Sequence, residues 1–213
     1  MSRSAGLVGS ARVAAAQRLR AFLRGAGPTP EAVRRADFYR TFPVGSDTVV
    51  FFGDSITEGG EWHELFPDRS VRNRGITEET SADLVDRLDT VVSGRPRQLF
   101  IQVGINDMVF GGSDEEFLAN YRTMLERCRT ETPETQVIVQ SILPASGELG
   151  DRIAGVNARL ERLAEEFEVT FVDLTDAFAG PDGAMPSEVS PDDIHLTGEG
   201  YRRWQVELAP YIS

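Results

Sequence analysis

From residue 47 onward the chain alternates two kinds of segment, and no other feature constrains its fold as tightly. Short runs rich in β-branched and aromatic residues read as strands: TVVFF (48–52), SVRN (70–73), QLFIQV (98–103), QVIVQSI (136–142) and VTFVD (169–173). Between them lie longer stretches whose apolar residues repeat with helical period. These fall at 84, 88, 91 and 92, then at Phe117, Tyr121, Met124 and Cys128. The series continues at Ile153, Val156, Leu160, Leu163 and Phe167, and ends at Tyr201, Trp204 and Leu208. SDEE at 113–116 is a capping-box pattern that opens one of these helices. Pro133 and Gly150 are expected in connections. Strands alternating with helices form βαβ units, hence a parallel sheet covered on both faces.

In such sheets ligands bind beyond the carboxyl ends of the strands, so the residues just after each strand carry the functional reading. These are Gly53-Asp54-Ser55, NRG (73–75), GIND (104–107), LPAS (143–146) and, after a long loop, DDIH (192–195). Acyl transfer needs a nucleophile, a base, an orienter for the base and donors for an oxyanion. Ser55 falls at a strand-to-helix turn, where its hydroxyl is exposed and its N–H points outward with the helix N-terminus. The Gly75 N–H offers a second donor and the Asn106 amide a third. His195 is one of two histidines, and Asp192 stands three residues before it, one turn away.

Each of these residues also has a plainer reading. Ser55 suits a helix N-cap, Asn106 a turn and Gly75 a left-handed backbone. Asp193 competes with Asp192 as orienter. Asp54 and Asp107 flank the site and are expected to bond loop backbone. Asp54, Met108, Val109, Phe110 and Leu143 are the candidate substrate-lining residues. His63, beside Trp62, reads as a surface or packing residue, and Cys128 as core. Acids with Asn and His after strands also suit a two-metal phosphoester site, but such sites need several histidines and only His195 is well placed. A scaffold used only for binding would lack a member of the set, and none is missing.

Four ordered blocks resemble the SGNH, or GDSL-type, hydrolase family: GDSIT with Ser55, NRG with Gly75, GIND with Asn106, and DDIH with Asp192 and His195. NYR, SILP and HLTGEGY resemble the sub-branch of small esterases related to platelet-activating-factor acetylhydrolase subunits and carbohydrate acetylesterases. The resemblance covers roughly residues 47–213. It implies a flavodoxin-like three-layer α/β/α sandwich with a parallel five-stranded sheet. It also implies a Ser55–His195–Asp192 triad, an oxyanion hole of Ser55, Gly75 and Asn106, and no cofactor. Two departures concern the substrate. NRGITEET lacks the further glycine of relatives, which makes that loop bulkier and more acidic. DMVFGG sets Met108, Val109 and Phe110 beside the site. No long insertion forms a lid, so a shallow, open groove is expected, suited to short acyl groups, such as acetyl esters of sugars. The alternative is a lysophospholipase or broad lipid esterase with Met108, Val109, Phe110 and Leu143 as the acyl wall.

Composition bounds the remaining classes. The net charge of −12 argues against nucleic acid as a partner. Residues 1–40 carry eight arginines against Glu31 and Asp37, a balance of +6, so the remainder holds −18. Residues 1–46 are therefore read as a basic arm and linker, and 47–213 as the hydrolase domain. ARVAAAQRLRAFLRG has an amphipathic basic pattern; Arg18, Arg20 and Arg24 interrupt any signal-peptide core. A solvated helix or frayed arm is favoured there over contact with an anionic membrane surface. GAGPTP (25–30) reads as its hinge. No apolar run approaches the roughly 20 residues of a membrane span. The single cysteine, Cys128, excludes an intrachain disulfide, and a reducing, cytoplasmic compartment is expected. The expected partner is a small ester, a sugar acetate or a lysolipid.

Overall fold

The computed structural model describes residues 28–213, so the amphipathic stretch at 11–25 lies outside the described residues. Five strands form one sheet: β1 (Val49–Gly53), β2 (Val71–Gly75), β3 (Gln98–Gln102), β4 (Gln136–Gln140) and β5 (Thr170–Val172). Their order is β2-β1-β3-β4-β5, and every pairing is parallel. The register sets Gly53 opposite Gly75 on one side and Gln102 on the other, so the three carboxyl ends are level. β1 and β3 are buried along their whole length, as unbroken apolar strands of a covered parallel sheet should be.

The helices are α1 (Pro30–Thr41), α2 (Ser55–Glu58), α3 (Trp62–Leu65), α4 (Ser81–Arg87) and α5 (Asp89–Val92). They continue with α6 (Ile105–Val109), α7 (Asp114–Glu131), α8 (Gly147–Glu166), α9 (Thr175–Phe178) and α10 (Gly198–Leu208). They cover both sides of the sheet, giving the three-layer α/β/α sandwich that the resemblance implied. Neighbouring residues of β1 serve opposite layers. Phe51 stacks on Trp62 of α3 at 3.7 Å between ring centroids, and Trp62 meets Trp204 of α10 edge-on at 5.0 Å. Phe52 lies beneath the Arg87 guanidinium of α4 at 4.4 Å. The helical stripes read from sequence all turn inward: Leu84, Leu88, Phe117, Tyr121, Met124, Val156 and Leu160 are buried.

Local signals explain several boundaries. The capping box at α7 forms: Ser113 Oγ accepts the Glu116 N–H at 3.2 Å, and Glu116 Oε2 accepts the Ser113 N–H at 3.3 Å. Pro133 lies in the connection to β4. Gly150 does not. It belongs to the first turn of α8, where a Cβ would stand 1.9 Å from the Ala145 carbonyl oxygen. Close packing, not helix breaking, requires that glycine.

α1 is also more than part of an arm. Thr29 caps it and Pro30 opens it, both favoured at a helix start. Tyr39 is buried and donates its hydroxyl to the Gly75 carbonyl at 2.9 Å. Arg74 of β2 lies over the Tyr39 ring and donates to the Phe42 carbonyl at 2.8 Å. The helix therefore closes the β2 edge of the sheet. Among the described residues no helix is long and apolar enough to cross a membrane.

Candidate active site

At the end of β1 the chain must turn into α2 without room to spare. A Cβ on Gly53 would lie 2.1 Å from the Gln102 carbonyl oxygen. Asp54 caps the helix, its Oδ1 accepting the Ile56 N–H at 3.0 Å, and Ser55 becomes the first helical residue. Three side chains hold this turn from outside. Asn73 Nδ2 stands 3.0 Å from the carbonyls of Thr57, Glu58 and Gly60. Trp62 Nε1 donates to Thr57 O at 2.9 Å, and the Tyr201 hydroxyl to Ile56 O at 2.8 Å.

Opposite Ser55 stands His195, on the loop before α10. Ser55 Oγ lies 3.3 Å from His195 Nε2, and His195 Nδ1 lies 2.8 Å from Asp192 Oδ2. Asp192 Oδ1 also accepts the backbone N–H of His195 at 2.8 Å and of Ile194 at 3.1 Å. The imidazole and carboxylate side chains are 45% and 41% exposed, so the site opens onto solvent. Partial burial works to raise the Asp192 carboxyl. The side-chain and backbone bonds from His195 outweigh it and hold the group below the ordinary carboxylate range. Asp193 is not a competing orienter. Its two oxygens accept the N–H groups of Met185 and Ser146, each at 2.9 Å.

Asn106 enters from β3. Gly104, at φ +144°, makes the turn into α6, and Asn106 Nδ2 donates to the Glu79 carbonyl at 2.8 Å. That bond uses one of its two amide hydrogens. The loop at 76–80 is fastened from both ends. Glu58 Oε2 accepts the Thr77 N–H and hydroxyl at 2.5 and 2.6 Å, and Arg35 of α1 pairs with the other Glu58 oxygen at 3.1 Å. Arg87 donates to Glu79 Oε2 at 2.6 Å and to the Gly53 carbonyl at 3.0 Å. Asp107 accepts the Ser81 N–H at 3.0 Å and the Ser81 hydroxyl at 2.5 Å.

Several expectations need correction. The Gly75 N–H, read from the sequence as a free oxyanion donor, already donates to Asn73 Oδ1 at 2.8 Å. Its glycine is required because a Cβ would lie 2.2 Å from the Glu58 nitrogen, where α2 crosses β2. Asp54 is fully buried and lines no substrate groove; Met108 and Leu143 belong to the core. Val109 and Phe110 are half-buried. Burial pushes the Asp54 carboxyl up to about 7, and nearby Asp107 and Glu79 add to the effect against the Ile56 N–H bond. Asp54 and Asp107 bond backbone, but at helix starts (Ile56 of α2 and Ser81 of α4) and not in loops; His63 is exposed, and Cys128 is core, its thiol pushed up to about 12 by burial. Among the described residues no three His, Cys, Asp or Glu side chains cluster as a metal site would require.

The sequence reading missed Arg87, Glu58 and the amide of Asn73. Arg87 carried a usable signal: it sits three residues after Leu84, on an otherwise apolar stripe, where a charged group must find a buried partner.

A family described as "GDSL-like Lipase/Acylhydrolase family" matches residues 51–203 of the chain. Platelet-activating factor acetylhydrolase IB subunit alpha2 of Rattus norvegicus is 27% identical over 166 residues, which cover 73% of this chain and 71% of that protein. The solved structure of a GDSL-like lipase from Bacteroides thetaiotaomicron superposes with a TM-score of 0.74 at 26% identity, covering 84% of this chain and 96% of that one. An acetylxylan esterase from Geobacillus stearothermophilus shares the fold, with a TM-score of 0.67 at 19% identity over 78% of this chain and 94% of that one.

Proposed function

The chain belongs to the GDSL-like lipase/acylhydrolase family and is a carboxylic ester hydrolase, and from that premise we propose that it cleaves short acyl esters through an acyl-enzyme on Ser55. The observation that carries this reading is the unbroken line from Ser55 Oγ through the imidazole to Asp192, at 3.3 and 2.8 Å. With the ring proton on Nδ1, donated to Asp192, Nε2 accepts the Ser55 proton as Oγ attacks the ester carbonyl. The resulting imidazolium is stabilised by the Asp192 carboxylate. It returns the proton to the leaving alcohol as the tetrahedral intermediate collapses. Water then attacks the acyl-enzyme with His195 again as base, and the freed acid leaves Ser55 protonated.

Oxyanion stabilisation falls to the Ser55 N–H, first in α2 and without an intrahelical acceptor, and to the second amide hydrogen of Asn106. Ser55 and Asn106 sit on adjacent strand ends whose register is level, which supports their converging on one carbonyl oxygen.

The acyl group is short, acetyl above all, and the alcohol is large and polar, as in an acetylated sugar. Of the four apolar candidates named from the sequence, Met108 and Leu143 are taken up by the core, leaving Val109 and Phe110 half-buried. Two such side chains are too few to enclose a long chain. Each methylene that enters an apolar pocket contributes about 0.8 kcal/mol, roughly fourfold in kcat/KM. An ester series from acetyl to octanoyl tests the point. Turnover should be best from acetyl to butyryl and fall beyond about six carbons, whereas a monotonic rise would favour the lysophospholipase reading.

A further inference from the structure

Asp193 lies between the two residues that orient and accept the serine proton, and its backbone is in the left-handed region, at φ +64°. A β-carbon is disfavoured there, and glycine is the residue of least strain. The strain is held by what the carboxylate does. Oδ1 accepts the Met185 N–H and Oδ2 the Ser146 N–H, both at 2.9 Å. Met185 is a buried residue of the loop after α9, and Ser146 ends the loop after β4 as the cap residue of α8. One side chain therefore ties the Asp192–His195 turn to an earlier part of its own connection, eight residues back, and to the end of the loop after β4. Both bonds are charge-assisted, the stronger kind.

We propose that Asp193 is a positioning residue for His195: by clamping its turn to Met185 and Ser146 it keeps the imidazole within reach of Ser55. The inference rests on the proposed role of His195 as the base. The clamp matters because the Ser55–His195 contact is already at the long end of hydrogen-bond distance, at 3.3 Å. A further displacement of about 1 Å at a reacting group costs on the order of 10²-fold in rate.

Two substitutions separate the clamp from the fold. Asp193→Gly keeps the left-handed backbone at no steric cost and removes both acceptors. Asp193→Asn keeps the side chain and one acceptor oxygen. Steady-state kinetics on an acetyl ester, with melting temperatures measured alongside, should show kcat of the Gly variant lowered about 10- to 100-fold, on the scale that such misplacement implies. KM should stay within about twofold and the fold should remain intact. The Asn variant should fall between, a partial rescue that loss of overall stability would not produce. Wild-type kcat in a folded Gly variant overturns the clamp. If the Gly variant does not fold, wild-type kcat in the Asn variant does so. Ser55→Ala and His195→Ala distinguish this from failure of the underlying reading. Should they retain activity, the nucleophile and base are wrong. Should they lose it while the Asp193 variants do not, only the clamp is wrong.

Discussion

Ser55 owes its position to its neighbours more than to its own bonds. Asp54 is the nearest of them, and its burial has a measurable consequence. Burial keeps this carboxyl protonated up to about pH 7 in the folded protein, and among the described residues its Oδ2 has no hydrogen-bond partner to favour the charge. The unfolded chain releases the proton near the ordinary value of 3.8. Between those values the folded state binds more protons, so this group's contribution is fully present below pH 3.8 and is lost as pH rises through about 7. Urea midpoints should therefore decline for the wild type from pH 5 to pH 8, and Asp54→Asn should flatten that decline. An unchanged slope would show that another group is responsible. Asn106 makes a different kind of prediction, because in the proposed mechanism its amide meets charge that exists only in the transition state. Asn106→Ala should lower kcat by on the order of 10²–10³ with little change in KM. A raised KM at constant kcat would make it a ground-state contact instead.

The elements around the site are joined by buried polar bonds as well as by apolar packing. β2 is the clearest case. Its Asn73 amide holds the end of α2, its Gly75 lets α2 approach, and its Arg74 grips the end of α1. Gly75→Ala places a methyl 2.2 Å from a backbone nitrogen, which no flexible side chain can yield to. Overpacking of this kind costs about 1–3 kcal/mol. The loss should appear as a lower urea midpoint at unchanged slope. A variant as stable as the wild type would mean that α2 shifts freely on β2. The same strand shows what a sequence does and does not carry. Asn73-Arg74-Gly75 was read as a block following a strand, whereas it forms the carboxyl end of β2 itself; strand periodicity is a local signal, but a strand's exact end is not. The bond of the Gly75 N–H was not legible either, because it depends on how the Asn73 side chain folds back two residues away.

At the scale of the whole molecule, the alternation from residue 47 was enough to predict five parallel strands and their covering helices, since burying a two-faced sheet leaves few other arrangements. The edge that carries Ser55, Asn106 and His195 was legible for the same reason, since a parallel sheet gathers its strand ends. The role of α1 was hidden. Its composition is polar and basic, and only tertiary packing buries Tyr39 against Arg74 and Arg87. The burial of Met108 and Leu143 was hidden likewise, because an apolar residue near a site reads the same whether it faces substrate or core. The central proposal is that one hydroxyl, that of Ser55 at the end of β1, is the nucleophile. Treating the protein with a fluorophosphonate and mapping the adduct by peptide mass spectrometry tests that directly. The account predicts a single adduct, on Ser55, formed as esterase activity is lost. An adduct on another residue, or loss of activity without modification of Ser55, would contradict it.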